Sequence, residues 1–264
     1  SDAIQNSIDE YNVSHSIYGS MGGYLIFSEV VNKLDSMRIE YPNLISEKFS
    51  IGNSVENRAM WTVRVSNSPN APTGRPEVWF HALIHAREPM SMEQSLYFMY
   101  WLMENYNIDP IATYILRNRE LYFTPVFNPD GYEYNRSTDP TGGGMWRKNR
   151  KLNSGTTYGI DLNRNFGTYA FWNSTNNGSS TVPSSDTYRG LSPFSEPETQ
   201  NARDFVISRN FKGALSYHTY GNYLIRPWGY VDAPSPDEKT FQSFSQDMVL
   251  NNHFTLGRSN QTVN

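Results

Sequence analysis

The chain has 264 residues, of which 38% are hydrophobic and 18% are charged, and its formal net charge is −4. This composition is typical of an ordinary globular protein, and the length suits one large α/β domain. The mildly acidic balance argues against nucleic acid or an anionic membrane as the main partner, so we expect neither. Because cysteine is absent from the sequence, any metal must be held by nitrogen and oxygen ligands.

The compartment is indicated only by composition. No stretch of the sequence is long and apolar enough to span a bilayer, and the chain begins with Ser1-Asp2, which we interpret as the start of a processed or trimmed chain. Aromatic residues make up 14% of the chain, and the loop from Asn173 to Ser185 is rich in small polar residues. This mix favours a secreted or periplasmic protein.

The first third of the chain predicts an arm, a helix and two strands. Residues 1–23 are polar and end in two glycines, which indicates an irregular arm before a domain over 24–264. Apolar residues at helical spacing predict a helix from Phe27 to Met37. Two alternating segments, Ser46 to Ile51 and Met60 to Ser66, predict strands, and their partly polar faces place them towards the sheet edge.

The stretch from Val78 to Glu93 changes abruptly from apolar to polar. Val78 to Ile84 is nearly all apolar, which predicts a strand buried on both faces in a mostly parallel sheet. Pro89 then opens a helix whose apolar positions recur at helical spacing. These positions are Met92, Leu96, Met99 and Met103.

Further elements alternate along the rest of the chain. A helix, a buried strand, a tight turn, a capping box, a second buried strand and a last amphipathic helix are predicted. The helix is Ile111 to Asn118, the buried strand Glu120 to Val126 and the turn Asn128 to Gly131. The capping box is Ser195 to Glu198, the further buried strand is Gly213 to Tyr217, and the last helix carries Phe241, Phe244 and Met248. The order predicts an α/β fold with a mixed, mostly parallel central sheet flanked by helices.

A polar cluster follows the first buried strand. His85 and Glu88 are brought together by a single turn, and this edge of an α/β sheet is where ligands bind. An imidazole and a carboxylate suit zinc, which takes such ligands at about 2.0–2.2 Å and needs a third from elsewhere. The alternative is a glutamate at a helix start with a histidine nearby.

Two later segments carry similar chemistry. Adjacent Asn163 and Arg164 offer donors that can hold a carboxylate, and the alternative is a solvated loop that contains an arginine. His218 follows the predicted buried strand from Gly213 to Tyr217, in the same placement as His85. It is either a third ligand or a structural histidine.

The motifs, taken in order from about Tyr24 onwards, resemble those of the zinc metallocarboxypeptidases, in particular the carboxypeptidase A and carboxypeptidase T branch. They are His-Ala-Arg-Glu, Asn-Pro-Asp-Gly, Trp-Arg-Lys-Asn-Arg, Asp-Leu-Asn-Arg-Asn, Tyr-Arg-Gly, Phe-Ser-Glu-Pro-Glu and Ser-Tyr-His-Thr-Tyr. The resemblance implies one zinc ion bound by His85, Glu88 and His218. It also implies that Asp161 orients His85.

The resemblance further assigns the substrate contacts. Arg147 would stabilise the oxyanion, and Asn163 with Arg164 would hold the free carboxylate of a peptide or protein C-terminus. Arg87 and Tyr220 match positions that line the groove for upstream residues. A monomer is expected.

One departure concerns the end of the chain. In the family, the glutamate that acts as general base and a tyrosine that closes over the substrate lie further along than Asn264 and have no match in this sequence. We therefore expect a C-terminally incomplete catalytic domain. Made alone, the 264-residue chain should hydrolyse peptides negligibly, because a general base contributes roughly 10²–10⁴-fold. Two alternatives stay open: an inactive module that binds zinc and peptide C-termini, and a related zinc deacylase.

Overall fold

A computed structural model describes residues 18–175 and 178–262. The helices are α1 (Phe27–Glu40), α2 (Pro89–Glu104), α3 (Pro110–Asn118), α4 (Pro129–Thr138), α5 (Tyr169–Trp172), α6 (Pro197–Ile207), α7 (Glu238–Met248) and α8 (Ser259–Thr262), with a 3₁₀ turn at Leu162–Arg164. The strands are β1 (Phe49–Asn53), β2 (Ala59–Val65), β3 (Glu77–Ala82), β4 (Glu120–Thr124), β5 (Phe211–Tyr217), β6 (Tyr223–Arg226) and β7 (Thr255–Arg258). Most of the predicted arm lies outside the described residues, and the arm and domain boundaries remain predictions.

The central sheet has five strands in the order β1-β2-β4-β3-β5. Strands β4, β3 and β5 run parallel to one another, and β1 and β2 add antiparallel pairings at one side. This arrangement confirms the predicted mixed, mostly parallel sheet flanked by helices. Strands β6 and β7 form a separate two-stranded parallel sheet.

Apolar clusters cover both faces of the sheet. One cluster joins α1 and α2 to the strands and includes Leu34, Met37, Val63, Leu96 and Phe123. The other lies on the opposite face, where Trp79 and Phe127 pack with Phe205 of α6. Every residue of β4 is buried, as its apolar sequence predicts. Over residues 18–175 and 178–262, no helix combines the length and the apolarity needed to cross a membrane.

The predicted buried strand at Gly213 to Tyr217 is instead an edge strand among the described residues. β5 pairs with β3 within the described part of the chain, and four of its residues are exposed. Leu215 and Tyr217 alternate with them and pack partly against the first apolar cluster. The apolar sequence of Gly213 to Tyr217 predicts strand formation correctly, but burial of a second face depends on a neighbouring element that the strand itself does not specify.

Two local predictions are also wrong. Asn128 to Gly131 does not form a free turn, because Asn128 caps α4 by accepting a 3.0 Å hydrogen bond from the Gly131 N–H and Pro129 occupies the first helical position. The predicted capping box at the start of α6 does not form. Glu196 is the residue at the N-cap, and Glu198 Oε1 accepts instead from the Val55 N–H at 3.1 Å.

Candidate metal centre

The connection between β3 and α2 places His85 and Glu88 side by side. The chain leaves the sheet through Leu83, which has a positive φ of 54°, and enters α2 directly after Glu88. Ser91 fixes this turn, because its hydroxyl donates to the Glu88 carbonyl at 2.7 Å and accepts from the Leu83 N–H at 3.0 Å. Both polar side chains are therefore held in a buried position, with His85 3% and Glu88 7% exposed.

His218 joins this pair from the neighbouring strand. Since β3 and β5 are parallel and adjacent, their carboxyl ends meet at one edge of the sheet. His218 Nδ1 lies 2.9 Å from Glu88 Oε2, and His85 Nδ1 lies 2.8 Å from Glu88 Oε1. Ligand atoms of all three residues lie within 4.8 Å of one another, and we call this group the ligand trio.

The chemistry of the ligand trio fits a zinc ion. The two Nδ1 atoms of His85 and His218 lie 3.2 Å apart, so both imidazoles direct ring nitrogens towards the same small volume. Two imidazole nitrogens and one carboxylate form a three-ligand set of the kind that catalytic zinc sites use. A cation bound there would take the place of the protons that otherwise lie between the two imidazoles and the Glu88 carboxylate.

Electrostatics keep the carboxylate of the ligand trio ionised. Burial alone would raise the pKa of Glu88, but the hydrogen bonds and charges of His218 and His85 lower this pKa to about 2. Asp161 behaves similarly, because His85 and Arg147 hold the pKa of its fully buried carboxyl well below the ordinary value against the effect of burial. Both carboxylates are therefore negative at neutral pH.

Asp161 lies behind the ligand trio. Its Oδ1 atom lies 3.3 Å from His85 Nε2, at ion-pair distance but without hydrogen-bond alignment. The other oxygen accepts from Arg147 Nη2 at 2.8 Å and Nε at 3.1 Å. Arg147 Nη1 is also 3.9 Å from Glu88 Oε1, so the guanidinium sits beside the ligand trio.

The 3₁₀ turn brings Arg164 close to the same carboxylate. Asp161 begins the turn by accepting from the Asn163 N–H at 3.0 Å. The Arg164 guanidinium donates to the carbonyl oxygens of Gly178 at 3.2 Å and Asn163 at 3.1 Å. Burial lowers the pKa of Arg164, and the charge of Asp161 opposes that shift. Arg164 is thus a half-buried cation whose direct partners here are neutral carbonyls, while Asn163 is exposed.

The two predicted groove residues lie further out. Arg87 Nη1 pairs with Asp186 Oδ2 at 3.0 Å, on a loop that the motifs did not single out. Tyr220 is fully exposed, so it makes no buried contact with the site.

Ser216 is a site residue that sequence reasoning missed. Its hydroxyl lies 3.1 Å from His218 Nε2, the ring nitrogen opposite the ligand trio, and 3.4 Å from His81 Nδ1. The period of two in a strand places Ser216 on the same face as His218, and this signal could have identified it. His81, which lies in β3, is half-buried.

Comparisons with known proteins point in one direction. Residues 30–264 match the family model described as zinc carboxypeptidase. Carboxypeptidase A1 of Rattus norvegicus is 34% identical over 228 residues, covering 86% of this chain and 52% of that protein. Carboxypeptidase A5 of Homo sapiens is 30% identical over 234 residues, covering 87% of this chain and 50% of that protein. The chain therefore spans about half the length of these curated relatives.

Solved structures agree with the sequence match. Bovine thrombin-activatable fibrinolysis inhibitor, determined in complex with tick carboxypeptidase inhibitor, superposes with a TM-score of 0.79 at 29% identity, covering 91% of this chain and 78% of that one. Carboxypeptidase A from Helicoverpa armigera gives a TM-score of 0.74 at 26% identity, covering 93% of this chain and 60% of that one. The fold thus belongs to a known architecture.

Proposed function

Because the chain belongs to the zinc carboxypeptidase family, we propose that it binds one zinc ion through His85, Glu88 and His218 and that the full-length protein hydrolyses the C-terminal bond of peptides and proteins. The observation that supports this most directly is the convergence of the ligand trio from two neighbouring strand ends. We propose further that it acts as a secreted or periplasmic monomer.

Asp161 and Arg147, beside the ligand trio, have different roles in the proposed reaction. His85, Glu88 and His218 would hold a zinc ion, which would supply Lewis-acid chemistry for the scissile carbonyl and an acidified water molecule. Asp161 holds His85 in orientation from behind and, through the same carboxylate, anchors Arg147. The Arg147 guanidinium, with Nη1 3.9 Å from Glu88 Oε1, would stabilise the negative charge that develops on the substrate oxygen, because a preorganised donor lowers the barrier there.

Arg164 supplies selectivity for a free C-terminus. Its guanidinium is partly desolvated, and a substrate carboxylate would offset that cost with a charge-assisted, bidentate contact. The exposed amide of Asn163 adds a further donor. This pairing would make the enzyme an exopeptidase, because an internal peptide bond offers no such charge.

Zinc binding is tested with the purified 264-residue chain. We expect about one zinc ion per chain by elemental analysis after dialysis, and loss of that zinc when both histidines of the ligand trio are changed to alanine. A chain that retains no zinc would refute the proposed centre.

Carboxylate recognition is tested with peptides that carry a free or an amidated C-terminus. Arg164→Ala should weaken binding of the free peptide far more than binding of the amide, while Arg203→Ala, at an exposed arginine paired with Asp204, should change neither. Equal losses for both peptides would show that Arg164 does not hold the carboxylate.

Turnover separates hydrolysis from the alternatives. The full-length protein should shorten free peptides by one residue, as measured by mass spectrometry, and should leave amidated peptides intact. Cleavage of N-acyl amino acids without cleavage of peptides would favour the deacylase, and binding without any cleavage would favour the inactive module.

A further inference from the structure

Asn135 connects two loops from its position on α4. The side chain is buried, with 3% of its surface exposed. Its Nδ2 donates to the Ala86 carbonyl at 3.0 Å and to the Trp146 carbonyl at 2.9 Å, and its Oδ1 accepts from the Trp146 N–H at 2.9 Å. One amide thereby forms three hydrogen bonds to the backbone of two separate segments.

Each of these segments carries a part of the proposed site. Ala86 lies between His85 and Glu88, and Trp146 immediately precedes Arg147. The segments also contact each other directly, since the Ala86 N–H donates to the Arg147 carbonyl at 3.0 Å. The Asn135 amide therefore bridges the segment with two members of the ligand trio and the segment with the arginine beside it.

The position of Asn135 is itself tightly determined. Helix α4 is anchored at its first turn by Asn128, whose Nδ2 donates to the carbonyls of Ile84 at 3.2 Å and Lys148 at 3.1 Å. Gly144 packs against the Asn135 side chain so closely that an added Cβ would lie 2.7 Å from Asn135 Oδ1. The amide therefore has little freedom to move without shifting the loops it binds.

We propose that Asn135 is a positioning residue that holds the 85–88 segment in register with Arg147, and that zinc affinity depends on it. This inference rests on the proposed function. Residues that orient metal ligands from outside the coordination sphere typically change metal affinity by about 10–100-fold when replaced. Asn135 does not contact the ligand side chains; it fixes the backbone at Ala86, between His85 and Glu88, and at Trp146, next to Arg147.

The test is the zinc affinity of Asn135→Asp, measured by competition with a chromogenic chelator. Aspartate keeps the acceptor for the Trp146 N–H but replaces both donated hydrogen bonds with repulsion between oxygens. Because Asn135-Arg136-Ser137 matches the N-glycosylation motif, the proteins are made in a host without that modification. We expect zinc affinity to fall by about 10-fold or more.

Asn165→Asp is the matched control. Asn165 is also fully buried and its Nδ2 donates to the carbonyls of Arg189 at 2.9 Å and Ser192 at 3.1 Å, away from the 85–88 segment. Both variants should lose thermal stability in the metal-free state, but only Asn135→Asp should lose zinc affinity. If Asn135→Asp does not fold, Gly144→Ala replaces it, because the added methyl displaces the Asn135 amide while leaving every hydrogen-bonding group present.

The outcomes separate the two claims. A wild-type chain that does not bind zinc refutes the proposed function and this inference together. A wild-type chain that binds zinc, with Asn135→Asp or Gly144→Ala binding it within about twofold of the Asn165→Asp control, overturns the positioning role alone. A selective loss in the Asn135 variants supports it.

Discussion

Glu88 and Glu93 lie five residues apart at the start of α2, and both are buried, yet they behave in opposite ways. Glu88 accepts from two imidazoles, and these partners lower its pKa to about 2. Glu93 accepts from the Leu25 N–H at 3.0 Å through Oε1, while its Oε2 has no hydrogen-bond partner among the described residues. Burial raises the pKa of Glu93 to about 7.

This difference shows that burial alone does not identify a functional carboxylate. Both side chains are removed from water, which by itself disfavours the charged form of each. Only Glu88 has partners that repay this cost, and those partners are the other two members of the ligand trio. Glu93 instead ties residues N-terminal to α1 to the side of α2. If partners and not depth separate the two carboxylates, changes at Glu88 should affect zinc binding and changes at Glu93 should affect stability.

The largest effect is expected at the ligand itself. Glu88→Gln keeps the shape of the side chain but removes the negative charge, so zinc affinity should fall by more than the roughly 100-fold upper range for residues outside the coordination sphere. Competition with a chelator measures this fall, and Glu93→Gln provides the control on the same helix. Unchanged zinc affinity in Glu88→Gln would remove Glu88 from the ligand trio.

A smaller loss is expected one step behind the ligands. Asp161→Asn removes the charge that faces His85 and Arg147, so zinc affinity should fall by about 10–100-fold. The same titration with chelator measures the change. An effect as large as that of Glu88→Gln would mean that Asp161 binds the metal directly.

Glu93→Gln is expected to raise the free energy of unfolding by an amount that depends on pH. The folded pKa of about 7 lies above the ordinary value of 4.5, so the folded protein binds a proton that the unfolded chain has released at intermediate pH. The contribution of protonated Glu93 to the free energy of unfolding is complete below pH 4.5 and is lost as the pH rises through about 7. Glu93→Gln should therefore be more stable than wild type by on the order of 1–2 kcal/mol at pH 8 and equal to it near pH 4.

Urea unfolding of the metal-free proteins at the two pH values measures this difference. The metal-free state is used because zinc binding would add its own pH dependence to the measurement. An equal gain at both pH values would show that ionisation of Glu93 is not the cause.

The smallest effect is expected at a carboxylate near the surface. Glu133 Oε2 accepts from Arg136 Nε at 2.7 Å, with the glutamate side chain 16% and the arginine side chain 42% exposed. Glu133→Gln should change the unfolding free energy by less than about 0.5 kcal/mol, because solvent screens such pairs. The same urea series measures it, and a change as large as that of Glu93→Gln would contradict the role assigned to burial.

Much of the fold follows from local sequence. The apolar run at β3 and the helical spacing after Pro89 identify these elements to within two residues, because period and turn chemistry are properties of a short segment. Local signals fail where another part of the chain competes. Glu198 has the right spacing for a capping box, but it bonds to the distant Val55 N–H instead. Asn128 is part of a strong turn motif, but the residues after it continue into α4.

The sequence by itself determined which residue types stand at the ends of β3 and β5, and the resemblance of its motifs identified the family. Only the tertiary structure decided how they combine. The parallel pairing of β3 and β5 brings His218 to His85 across 133 positions of sequence. The packing of α4 places its residue Asn135 between the loops at Ala86 and Trp146. Among the described residues β5 lies at the sheet edge, and packing left Glu93 without the partners of Glu88. The physical reason is that local patterns encode backbone conformation, whereas burial, charge pairing and pKa depend on neighbours far away in sequence.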